Sequence, residues 1–208
     1  QNVLLNESEK ATYSYVESVQ ANDSFGFISN YTSPNYNESM TCLYYENGYS
    51  SMLRNDIKTN IKDLKYVEDK YLWVGDQKSI MNGHQEIIYE VLDGKHSSKT
   101  IDLSGNQYAD SITLTPNNIL IAGHTDETSP DFPGERLGID SYILFLNREN
   151  FTIDNSLMLP CEKNDLIISM VFWHNYVYAL QSIEAKTLRL MKIDLFGNII
   201  GEKDFIYP

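Results

Sequence analysis

The residues able to do chemistry in this 208-residue chain are scattered along it. His84, His96, His124 and His174 form no pair at metal-ligand spacing and none joins a cysteine motif, so the sequence offers no zinc site. His124 follows a strand-like run and either lines a central channel or, the favoured reading, is a surface or turn histidine. There is no G-x-S-x-G, no Walker loop and no G-x-G-x-x-G, which leaves nucleotide chemistry and the common serine hydrolase without support. The 29 acidic residues could conceal a glycosidase pair, but spacing alone does not reveal one. No catalytic, cofactor-binding or metal-ligating residue is assigned.

The most distinctive local feature is an acidic, Pro- and Gly-containing stretch from Asp126 to Asp140. Asp126, Glu127, Asp131 and Asp140 are hard oxygen donors of the kind Ca²⁺ selects, and Ca²⁺ is the one cofactor for which the sequence supplies a donor set. Their spacing matches no calcium-binding loop, so a solvated acidic loop is favoured. Asp126, Asp131, Phe132 and Asp140 are candidate contact residues, because a repeat protein places specific contacts in single insertions. Among the aromatics, Tyr31, Tyr36, Tyr45, Tyr49 and Phe132 are candidates for stacking on sugars or a protein partner, whereas Tyr44 is assigned to the core.

Five N-x-[ST] triplets begin at Asn6, Asn22, Asn30, Asn37 and Asn150, a modest excess over chance in an Asn-rich chain. Asn22 and Asn150 fall on turns, Asn37 on a connection, Asn6 on an outer strand and Asn30 at the exit of a strand, and none needs a core position. Cys42 and Cys161 are compatible with one disulfide closing a long loop, worth about 4–5 kcal/mol in the chain-entropy account, or with two unpaired buried thiols. The sequons favour the disulfide. Gln1 opens the chain without an initiator Met or signal peptide, as in a protein after signal removal, although an arbitrary cut would look the same. These features together predict a secreted, extracellular glycoprotein. The formal charge of −13 disfavours nucleic acid as a partner. No apolar run reaches the length needed to span a bilayer.

The elements that must position these residues read as strands. A polar turn between two aromatic and β-branched runs recurs four times, over 17–29, 63–75, 110–123 and 168–180. Asn-Asp, Glu-Asp, Asn-Asn and His-Asn supply the turn chemistry. A second strand pair follows each hairpin, closed at Gly48, Gly94, Asn150 and Gly197, where a positive φ is expected. Those four closures lie 46, 56 and 47 residues apart, the long step carrying the acidic insertion. Two hairpins per period make four short strands in about 47 residues, the size of one propeller blade.

The expected fold is therefore all-β: a single domain, 1–208, of tandem four-stranded repeats at about 1–47, 48–93, 94–149 and 150–197, with an extra strand at 198–208. Asp110-Ser111-Ile112, Ile121-Ala122-Gly123, Asp140 to Leu144 and Lys192 to Asn198 resemble the degenerate blade repeats of secreted bacterial and protist β-propellers. That resemblance implies architecture and no functional residue, because propellers do unrelated jobs. The expected function is a non-catalytic extracellular structural or interaction module whose partners are proteins, identical subunits among them. Asn198 to Tyr207 has two readings: the chain is a piece of a longer propeller or packs this tail loosely, or, more sharply, the segment donates a strand to a neighbour's sheet edge and so builds a filament or coat. The alternatives are a carbohydrate- or protein-binding, lectin-like propeller, and a polysaccharide-acting enzyme with its site at the channel mouth.

Overall fold

A computed structural model describes residues 12–21, 24–32, 39–45, 50–55, 59–68, 70–79, 81, 83–92, 99–103, 105–125, 139–159 and 164–206, with side-chain environments from Asn60 onward. Among the described residues sixteen strands form four antiparallel sheets, each a simple up-and-down meander. Sheet 1 holds β1 (Thr12–Ala21), β2 (Ser24–Thr32), β3 (Ser39–Tyr45) and β4 (Ser50–Asn55). Sheet 2 holds β5 (Thr59–Val67), β6 (Lys70–Lys78), β7 (Gln85–Leu92) and β8 (Lys99–Ile101). Sheet 3 comprises β9 (Gln107–Leu114), β10 (Asn118–Thr125), β11 (Asp140–Asn147) and β12 (Ile153–Leu159), and sheet 4 β13 (Asp165–Trp173), β14 (Tyr176–Ile183), β15 (Thr187–Ile193) and β16 (Ile199–Ile206). Every hairpin and second strand pair read from the sequence is present.

The turns carry the chemistry that tight hairpins need. His174 and Asn175, between β13 and β14, both take positive φ (49° and 67°), which matches the right-handed twist of the flanking strands. Gly197 closes the β15–β16 turn at φ 86°. At the corresponding turn of sheet 3 the expectation for Asn150 is corrected: the positive φ belongs to Phe151 (63°). Asn147 sets that offset, because its Oδ1 accepts the Glu149 and Asn150 amides and its carbonyl accepts the Phe151 amide.

One irregularity repeats in all four sheets. The first strand skips a residue in its pairing with the second, at Ser14, Lys62, Asp110 and Ile168. Such a bulge bends the strand and re-aims a side chain. In sheets 2 and 3 the second strand receives the bulge on a glycine. A Cβ on Gly75 would fall inside contact distance of the Asn60 carbonyl oxygen, and one on Gly123 inside that of the Tyr108 oxygen.

The sheets pack face to face in chain order, β5 against β1–β3, β9 against β5–β7 and β13 against β9–β11. Among the described side chains two apolar layers are seen. Leu72, Val74, Tyr89 and Ile101 of sheet 2 meet Ile112, Ile121 and Leu144 of sheet 3. The opposite face of sheet 3, with Leu120, Ala122, Ile143, Phe145 and Leu159, meets Ile167, Met170, Val177, Ala179 and Met191 of sheet 4. Both faces of sheet 3 are thus buried, so β11 reads as a nearly continuous apolar run instead of alternating.

Two expectations change. The sheets run from 12–55, 59–101, 107–159 and 165–206, so the repeat boundaries set by the turns cut each sheet before its fourth strand. Turn spacing reports the period, whereas hydrogen bonding decides which strands share a sheet. Ile199–Ile206 therefore completes sheet 4, paired along its length with β15. It is not a free strand available for donation. As an outer edge β16 is guarded by Glu202, Lys203 and Asp204, the last held bidentately by Arg189 at 2.7 and 2.9 Å.

Candidate functional site

The bulge gathers the ionisable side chains. Asp110 is the bulged residue of sheet 3, and its Oδ2 lies 2.7 Å from His124 Nδ1 on the neighbouring strand. Tyr108 stacks on the His124 ring at 4.8 Å, and the Tyr142 hydroxyl donates to the Tyr108 carbonyl at 2.9 Å. Burial lifts the Tyr142 hydroxyl well above the usual tyrosine range, so it stays a donor. Asp76, which follows Gly75 in sheet 2, is coupled electrostatically to Lys62, Asp110 and His124; burial pushes its carboxyl up to about 6. Its Oδ1 is buried without a hydrogen-bond partner among the described residues. The His124–Asp110 pair fits a general base, yet its partners join β9 to β10 within one sheet.

A second polar link ties sheet to sheet. Asp63 Oδ2 accepts from the Ser111 hydroxyl at 2.7 Å and from the Ile112 amide at 3.0 Å. The Ser111 hydroxyl oxygen in turn accepts the Met170 amide of sheet 4 at 3.2 Å. By register, Asp63, Ser111 and Ser169 are one position in successive sheets, as are Leu64, Ile112 and Met170. The side-chain oxygen at the first position thus takes the amide at the second position of the next sheet. Asp165, at the start of β13, has a carboxyl that burial also pushes up to about 6, against the opposing bonds from the Ser141 amide and the Gln181 amide group.

Sheet 4 differs from the others in its far face. There β13 shows Leu166, Ile168, Val171 and Trp173, with Ile168, Val171 and Trp173 52, 55 and 59 % exposed. Tyr178 and Leu180 of β14, Leu188 and Leu190 of β15 and Phe205 of β16 lie on the same side by pairing. An open depression of about 560 Å³ at Leu166, Ser182 and Ala185 continues this face to its edge. Trp173 packs on His174 at 4.1 Å and leans on Tyr178 at 6.0 Å, so the aromatic end of the face is built of mutually supporting rings.

The residues singled out by sequence are placed unevenly. Asp126, Asp131 and Phe132 lie outside the described residues, as do Asn6, Asn22, Asn37 and Cys161. Asn30 sits on β2 and Cys42 on β3. Asp140 is buried as the first residue of β11, because the Asp140 to Leu144 run begins a core strand. Asn150 is exposed on the β11–β12 turn, where its Oδ1 accepts the amide and hydroxyl of Thr152 at 2.9 and 2.7 Å. The favoured surface or turn placement of His124 gives way to a strand position: it is half-buried within β10 because its strand runs past the glycine. Sequence reasoning passed over Asp76, Asp110 and Asp165, whose partners lie on other strands. The only available signal was an acid next to a strand-ending glycine or at a strand start.

Among the described residues no group of His, Cys, Asp and Glu is arranged to hold a metal, and no helix is long and apolar enough to cross a membrane. No family model matches the sequence, and no curated protein does. Solved structures match the fold. A subtype N10 neuraminidase-like protein of A/little yellow-shouldered bat/Guatemala/060/2010 superimposes with a TM-score of 0.61 at 8 % identity, over 96 % of this chain and 60 % of its own. Pyrococcus horikoshii acylaminoacyl peptidase gives 0.57 at 12 %, over 95 % of this chain and 33 % of its own. This chain thus spans under two thirds of the first protein and a third of the second. At these identities the likeness is one of fold alone: the architecture is all-β and β-propeller-like, built from tandem four-stranded sheets.

Proposed function

We propose that this chain is a non-catalytic extracellular glycoprotein module that works by assembly, through the face of its fourth sheet. One observation carries the reading: Leu166, Ile168, Val171 and Trp173 present contiguous apolar surface where the other described inner strands carry Lys62, Lys65, Asp110 and Thr113. Exposed apolar surface of this extent marks an interaction site. The exposed Asn150-Phe151-Thr152 turn, open to solvent as a glycan-bearing site must be, supports the glycoprotein reading. Sedimentation of protein expressed through a secretory route should show species larger than the 23.9 kDa chain, growing with concentration. A monodisperse 23.9 kDa species over a wide concentration range would sink the proposal.

A second reading rests on the Asp76–Asp110–His124 cluster as a site for a polar ligand such as a sugar. Glycan-array binding that is lost in His124→Ala and retained in Trp173→Lys would favour it.

A further inference from the structure

The face of sheet 4 is not a generic apolar patch. Strand pairing equates each of its positions with one that is buried between sheets elsewhere. Ile121 pairs with Leu144 in sheet 3 and Ala179 with Met191 in sheet 4. The same register then matches Tyr178, Leu180, Leu190 and Phe205 to Leu120, Ala122, Ile143 and Leu159. The latter four are the residues through which sheet 3 packs on sheet 4. In sheet 2 the matching positions hold Leu72, Val74, Tyr89 and Ile101, which pack on sheet 3. Ser169 stands where Asp63 and Ser111 each take an amide from the following sheet. Sheet 4 thus carries the apolar contacts and the polar acceptor of a sheet with a successor.

The successor must present the near-face pattern of a sheet, held in sheet 4 by Ile167, Met170, Val177 and Ile193. In sheet 1 the register puts Tyr13, Val16, Phe27 and Tyr44 at those positions. This chain's own sheet 1 does not cover the face, since Trp173 is 59 % exposed with all four sheets in place. Resting on the assembly reading above, we propose that the occupant is sheet 1 of a second copy, packed head to tail. The Ser169 hydroxyl then accepts the Val16 amide of that copy, as Ser111 accepts that of Met170. Two copies joined at both ends make a closed ring of eight sheets with two-fold symmetry. The contact is heterologous, the two ends being different surfaces, and it closes only if the rotation returns on itself.

The difference between the two ends supplies the test. Trp173→Lys spoils the sheet 4 end and Phe27→Lys the sheet 1 end, with Tyr13→Lys replacing the latter if circular dichroism shows that Phe27→Lys does not fold. Each variant alone should dissociate at least tenfold more readily by sedimentation equilibrium. An equimolar mixture of the two should recover a heterodimer, because one of its two junctions joins a native sheet 4 to a native sheet 1. A wild-type dimer that the sheet 1 variant leaves intact, or a mixture of folded variants that shows no recovery, overturns the head-to-tail arrangement while assembly itself stands. A wild-type chain that stays monomeric removes the proposed function and this inference together.

Discussion

Sheets 3 and 4 share a backbone plan and diverge in what their first strands carry. Both skip one residue at the same point, and both set a small or short side chain, Ser111 or Ser169, beside the skip. In sheet 3 the skipped residue is Asp110, tied to His124, and Thr113 and Thr115 follow it, both buried. In sheet 4 the same positions are Ile168, Val171 and Trp173, all exposed. A covered sheet can hold polar groups on its inner strand because neighbouring strands supply their partners. In sheet 4, whose far face no described strand covers, the same positions hold apolar side chains, which would release water if a partner packed on them. One bulge thus serves as a polar clamp in the interior and as an apolar ledge at the end.

Substitutions at matched positions break or sharpen that comparison. The largest effect is expected at the glycine that receives the bulge. Gly123→Ala drives a Cβ into the Tyr108 backbone and the Tyr142 ring, and should cost about 3 kcal/mol or more. At the same register position sheet 4 carries Gln181, a residue with a Cβ, so the requirement for glycine belongs to sheet 3. A loss of less than about 1 kcal/mol in urea unfolding would show that the bulge needs no glycine there.

Next come the apolar faces. Ile143→Ala removes a fully buried side chain between sheets 3 and 4 and should cost about 2–5 kcal/mol. Leu190→Ala, its register match, is 39 % exposed, and should cost the isolated chain less than about 1 kcal/mol. The Leu190 cost should rise with protein concentration if a second copy covers the face. A cost independent of concentration would count against assembly there.

Acid sensitivity follows from the buried carboxyls. Asp76 has its folded pKa raised from 3.8 to about 6. The native state therefore binds more protons than the unfolded chain between those values, and stability falls as pH rises through that window. Above it the charged form carries the full penalty. Asp76→Asn should stabilise the protein by about 1–3 kcal/mol at neutral pH and reduce the slope between about pH 4 and 6. Some slope should remain, because Asp165 titrates in the same window. Denaturant midpoints across pH will check the sign, and an unchanged slope would mean Asp76 is hydrated.

The smallest effect concerns the turns. Sheet 4 bends through Glu184 and Ala185, both at positive φ (50° and 55°), whereas sheet 3 makes its first turn through Pro116 and Asn117. Ala185→Gly should raise the thermal midpoint, stabilising by roughly 0.5–1 kcal/mol. No change would indicate that the loop relieves the strain unaided.

Much of the fold was legible because its signals are local. Alternating aromatic and β-branched runs mark strands, and the polar pairs at 68–69, 117–118 and 174–175 mark hairpins. The in-phase glycines at 48, 94 and 197 give the period. The sheet boundaries were less legible, since a turn looks the same whether it joins strands three and four of one sheet or opens the next. The candidate site was mostly illegible. Asp110 and His124 are 14 residues apart, and Asp63 and Ser111 48 apart. Their association follows from register and sheet packing, which no short sequence window contains.

Strand number, hairpin positions, the four-fold period and the acidic balance were set by the amino-acid sequence alone, because each depends on neighbours within a dozen residues or on a simple count. Only the tertiary structure decided that Ile199–Ile206 belongs to its own sheet, that Asp76 is buried, and that the apolar side chains of β13 face outward. Those facts depend on which strands exchange hydrogen bonds and on which faces of the described sheets pack together, and both are settled by contacts between residues far apart in the chain.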